Sequence, residues 1–201
     1  MCTTGIELSA HKIWQWVVSK WGSVMPRPQY GAATQELRDN DMVAWYHVPV
    51  STERTIMLGD RFIPCCEAVM LLFDANEFKL LQEFVMSWQS PDLPQGNLEA
   101  TLVAGKKRLI PIVSRHDGAA NAYITDRYLL EKKADRITDI GPGEYLFVIS
   151  IKSGAKTWYS PHYYKLFVPA AGKSNGHFNI SIAGDTAAIK TVNWDSQRGA
   201  R

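Results

Sequence analysis

The chain has 201 residues, 46% apolar and 21% charged, with 14 glycines and 10 prolines. That length and balance specify a globular domain, or a domain with an appended part, and exclude a disordered chain, a collagen and a coiled-coil rod. A formal charge of +2 is far from the concentrated basicity of a dedicated DNA-binding protein.

The opening residues, Met1 to Glu7, lack the basic start and unbroken apolar stretch of a signal peptide. The longest aliphatic run, Ala68 to Phe73, lies between Glu67 and Asp74 and is too short to span a bilayer. Three cysteines are an odd count, and a direct bridge between the neighbours Cys65 and Cys66 would be strained. These features predict reduced thiols in a cytoplasmic protein that makes no use of a membrane.

In chain order, the first predicted element is a helix. Ser9 suits its N-cap, Ile13, Trp14, Val17, Val18 and Trp21 share one face, and Gly22 ends it. Met25 to Asp41 holds Pro26, Pro28 and Gly31 without a period and reads as a loop, with a helical turn near Gln35 to Arg38 as an option. Met42 to Val48, Arg54 to Leu58 and Arg61 to Phe73 read as strands, the last with an edge or a bulge at Pro64. Asp74 with Glu77 resembles a capping box, and Phe78, Leu81, Val85 and Trp88 then predict a second amphipathic helix. The breaker cluster Ser90 to Gly96 suggests a seam between an α+β part, residues 1–90, and a β part, residues 97–201, with one continuous domain as the alternative.

Beyond the seam the signals are β. Asn97 to Val103, Arg108 to Val113 and Ala120 to Thr125 predict short strands, and Gly141-Pro142-Gly143 predicts a turn. Tyr145 to Ile151 is apolar on both faces, so it is expected in the middle of a sheet covered on both sides. Trp158 to Val168 and the stretch of Phe178, Ile180 and Ile182 predict further strands. Asp139 to Phe147, with Tyr145 two residues before an apolar position on the same face, resembles the tyrosine corner of immunoglobulin-like and fibronectin-like sandwiches. That resemblance covers residues 97–169 and implies an antiparallel sandwich. The expected fold class is therefore α+β: two amphipathic helices and a few strands packed on a sandwich-like β part.

No nucleophile elbow, phosphate loop, zinc-protease helix or dinucleotide fingerprint is present. The histidines His11, His47, His116, His162 and His177 show no metal-ligand spacing, and adjacent cysteines seldom share one ion, so neither metal nor cofactor is expected. Cys2 would carry a free α-amine beside its thiol if Met1 were removed, the arrangement of an N-terminal nucleophile.

The segment Lys156 to Lys165 concentrates rings and cations around Pro161. Trp158, Tyr159, His162, Tyr163 and Lys165 are the residue types that anchor protein interfaces. The leading expectation is thus a non-enzymatic accessory or assembly module that binds another protein. One alternative is an accessory nucleic-acid-binding protein, stacking bases on these rings with Lys106, Lys107, Lys132 and Lys133 on phosphates. The other is an enzyme using Cys2.

Overall fold

The computed structural model describes residues 26–38, 43–52, 62–93, 97–116, 119, 121–124, 139–170 and 179–186. The predicted N-terminal helix, Cys2, the strand expected over Arg54 to Leu58, and Lys132 and Lys133 lie outside the described residues.

Strand-forming residues dominate what is described, and they pair into two antiparallel sheets. The first contains β1 (Pro28–Tyr30), β2 (Thr34–Arg38), β3 (Val43–Thr52), β7 (Arg108–His116), β8 (Ala122–Ile124) and β9 (Asp139–Ile140). Its order is β1-β3-β7-β8-β9, and β2 runs along β3 beside β1. The second contains β4 (Phe62–Asp74), β5 (Leu80–Met86), β6 (Glu99–Val103), β10 (Gly143–Ser153), β11 (Lys156–Tyr159), β12 (His162–Val168) and β13 (Asn179–Asp185). Its order is β13-β12-β10-β4-β5, with β6 on β4 and β11 on β10. Strands from before and after residues 94–96 pair directly, β3 with β7 and β4 with β10.

The two sheets close on one core. Val48 and Val50 of β3 meet Met70 and Leu72 of β4, Phe84, Met86 and Trp88, Ile110 and Ile112, and Phe147, Ile149 and Ile151 of β10. Residues two apart along each strand supply it, as a sheet with one face on the core requires. β4 and β10 go further, because Val69, Leu71, Phe73, Leu146 and Val148 form a second buried cluster on the other face of their sheet. The doubly apolar strand read from the sequence is thus central and buried on both faces.

Among the described residues the α+β expectation is corrected to two antiparallel, sandwich-like sheets, since no helical element occurs there. The helix expected after Asp74 is a hairpin. Asp74 Oδ1 does accept the N–H groups of Asn76 and Glu77, at 2.8 and 2.9 Å. Phe78 then turns into the left-handed region, φ 53°, and the Asp74 N–H donates to the Lys79 carbonyl, so the chain returns along β4 as β5. The loop expected over residues 25–41 contains β1 and β2. Pro64 sits in a bulge between Ile63 and Cys66, where Cys65 has φ 46°, and of the two thiols Cys66 is buried and Cys65 exposed. Tyr145 Oη donates to the Gly141 carbonyl at 3.2 Å, which is the hydrogen bond a tyrosine corner makes.

Candidate functional site

Two interrupted edges create a recess among the described residues. In the second sheet, β11 and β12 lie end to end along β10, separated by Ser160 and Pro161. Proline cannot donate to a ladder, so the row breaks there. Ser160 bridges the gap: its N–H donates to the Ile149 carbonyl, its Oγ donates to His162 O at 2.7 Å, and its Oγ accepts from Ile149 N. β13 follows β12 from Phe167 to His162 and ends with the Thr186 N–H donating to the Pro161 carbonyl. β11 therefore lies beyond the end of β13.

Over that step sits β1, tied down by two tyrosines. Tyr30 Oη donates to Trp158 O at 2.9 Å, and Tyr164 Oη donates to Gly31 O at 2.9 Å, so each hydroxyl spans from one sheet to the other. Burial, with lesser effects from nearby Tyr164 and Cys66, holds the Tyr30 phenol above its ordinary range. Burial alone pushes Tyr164 up to about 12.

Between β1 and β11 opens a notch of about 770 Å³. Five of its lining residues carry rings: Pro28, Tyr30, Trp158, Tyr159 and Pro161. Arg27, Gln29, Thr157, Ser160, Asp185 and Thr186 supply the polar part. Thr186 is 2% exposed, and its Oγ1 finds no hydrogen-bond partner.

The structure divides the aromatic segment rather than presenting it as one face. Trp158 is half-buried against the main core, whereas Tyr159 and Tyr163 pack on the second cluster. His162 is exposed, and Lys165 forms an ion pair with Glu144 at 2.8 Å. Trp158 and Tyr159 reach the notch; His162, Tyr163 and Lys165 are not among its lining residues. Arg27, Tyr30 and Thr186 do line it, and sequence reasoning missed them because nothing local links positions 27–30 to positions 157–161.

Tyr163 has a structural job. It pairs with Gly184 beside a register shift, and a Cβ on that glycine would lie 2.6 Å from the Tyr163 ring. Gly184→Ala is expected to destabilise by about 1–3 kcal/mol, because the ring must leave its packed position. A double-mutant cycle with Tyr163→Ala checks this by thermal unfolding: once the ring is gone, the alanine should cost almost nothing further.

Register also gathers cations at one end of the sandwich. Pro28 pairs with Thr52, and Thr52 bridges to Ala104. Phe62 pairs with Val103, while Ser153 pairs with Lys156 and its Oγ donates to Pro64 O at 2.6 Å. The start of β1, the β6–β7 turn and the β10–β11 turn therefore share an end, which among the described residues carries Arg27, Lys106, Lys107, Lys152 and Lys156 against Glu67 and Glu99. Arg108 does not join them. Its guanidinium turns inward and donates to Asp92 and to Ser90 Oγ, and the hydrogen bonds that the Asp92 carboxylate accepts, from Arg108 foremost and then from Ser90 Oγ, bring that carboxyl down to about 2.

Among the described residues no three His, Cys, Asp or Glu side chains converge on a point that could hold a metal ion. No helix among them is long and apolar enough to cross a membrane. Compared with protein-family models, with curated proteins and with solved structures, the chain matches none.

Proposed function

We propose that this chain is a non-enzymatic interaction module, an accessory or assembly subunit that takes a segment of another protein into the notch between β1 and β11. The observation that carries this reading is the convergence of ring-bearing residues from both sheets, with Arg27, on one open recess. Rigid rings give contact area at little entropic cost, which is why they anchor protein interfaces. The two tyrosine hydroxyls hold the walls in place before a partner arrives, so binding does not have to order them.

Blocking the notch tests the reading. Thr157 is exposed on its rim, so Thr157→Trp fills the space without touching the core. Protein carrying a C-terminal tag is expected to retain partner proteins from its native extract after nuclease treatment. Thr157→Trp should lose them while its melting temperature stays within about 1 °C, as for an ordinary surface change. Partners held equally by both forms would refute the assignment. A second reading, nucleic-acid binding, draws support from the gathering of Lys106 and Lys107 at the notch end of the sandwich. Capture that vanishes with nuclease, and affinity that falls steeply with salt, would favour it.

A further inference from the structure

We infer that the segment received by the notch is acidic, seating a carboxylate side chain between Arg27 and the Thr186 hydroxyl and an apolar neighbour beside Trp158 and Pro161. This rests on the protein-interaction reading above and names the chemistry of the partner. Its first support is a hydroxyl without a bond. A buried polar group lacking a partner carries an uncompensated desolvation cost, and such groups in native structures call for an explanation. The other buried hydroxyls here are already used: Ser160 Oγ bonds to His162 O and Ile149 N, and Tyr30 Oη donates to Trp158 O. Thr186 Oγ1 alone, 2% exposed and lining the recess, retains an unused donor.

Charge supplies the second support. Arg27 is exposed on the same recess, and no described carboxylate pairs with it. A guanidinium offers a planar fork of donors that matches a carboxylate. Among the described residues around it, Lys106, Lys107, Lys152 and Lys156 stand against Glu67 and Glu99, so these groups offer an incoming anion net positive charge. Asp185 lines the recess as well. A single carboxylate can sit on the Arg27 side, clear of it, whereas a phosphodiester chain brings a charge with every nucleotide past that acid. This favours a protein segment over a nucleic acid.

The test uses ¹⁵N-labelled full-length protein and three probes: N-acetyl-Asp-Phe-amide, N-acetyl-Asn-Phe-amide and a ten-residue oligothymidylate. The aspartyl peptide is expected to shift the amide signals of Arg27, Gln29, Thr157 to Ser160 and Thr186, saturating on titration. The asparaginyl peptide should bind about fivefold more weakly, since it cannot form the charge-assisted fork. Arg27→Gln should abolish that difference. Thr186→Val keeps the shape and removes the hydroxyl; it should weaken the aspartyl peptide about fivefold without lowering the melting temperature, because no internal bond is lost. Equal binding of the two peptides would overturn recognition of the acid while leaving the notch assignment standing. Preferential shifts by the oligothymidylate at the same amides would overturn the partner class. Absence of any peptide shift overturns the inference, and Thr157→Trp then decides separately: if that variant still loses its protein partners, the notch reading survives alone.

Discussion

Phe84→Ala is expected to lower the free energy of unfolding by about 3–5 kcal/mol, whereas Leu81→Ala should change it by no more than about 0.5 kcal/mol. Phe84 is wholly buried on β5, paired with Met70 and packed in the main core beside Met86 and Trp88. Removing its ring leaves a cavity between two sheets that each bring several strands to that core, so the site has little room to collapse. Leu81, 39% exposed on the same strand, loses only surface contact. Urea unfolding measures both: the midpoint of Phe84→Ala should fall with an unchanged slope, and that of Leu81→Ala should hardly move. Equal losses at the two positions would mean that residues 80–86 present a helical face to the core rather than alternate sides of a strand.

That pair of positions also shows why the helical signal after Asp74 misled. Phe78, Leu81, Val85 and Trp88 satisfy helical spacing, while Phe84, Met86 and Trp88 satisfy strand spacing, and so short a stretch accommodates both. The Asp74 cap is real as a hydrogen-bonding device, but an aspartate that caps a helix also closes a turn, and the same N–H groups answer either. Pairing with β4 decides the matter, and that partnership is not local. β10 was legible because its pattern leaves no choice: apolar side chains on both faces suit only a covered central strand. The Tyr145 corner was legible for the opposite reason, since its hydrogen bond spans four residues.

The notch follows the same division. Its aromatic wall stands out in the composition of residues 156–165, yet the residues that make it a recess come from β1 and the end of β13, brought there by register. Alternation along β11 and β12 then splits the wall, sending Trp158 to one side of the sheet and Tyr159 and Tyr163 to the other.

Alkaline pH is expected to unfold the protein steeply between about pH 10 and 12, and the clasp over the notch is part of the cause. Burial keeps the proton on Tyr164 and on Tyr46 to about 12, and on Tyr30 higher still, against an ordinary 10.0 for the phenol. Cys66 joins them, pushed up by burial from 9.0 to about 11. In each case the unfolded chain releases its proton first. The stabilisation is therefore fully present below pH 9, begins to fail as unfolded Cys66 ionises, and fails faster once the unfolded tyrosines do so near pH 10. It is lost as pH rises through the folded values. Each group that is protonated in the fold and ionised in the unfolded chain contributes a slope of about 1.4 kcal/mol per pH unit, so three tyrosines acting together approach about 4 kcal/mol per unit, comparable to the loss of the Phe84 ring. Urea midpoints from pH 8 to 12 measure this, with phenolate absorbance followed in parallel. The buried tyrosines should ionise with the unfolding transition and not before it. Tyr164→Phe should flatten the decline, since it withdraws one proton from the sum, while also removing the bond to Gly31 at neutral pH. A midpoint that stays level to pH 11.5 would show that these hydroxyls reach water in the folded state, and that the notch is held open by packing alone.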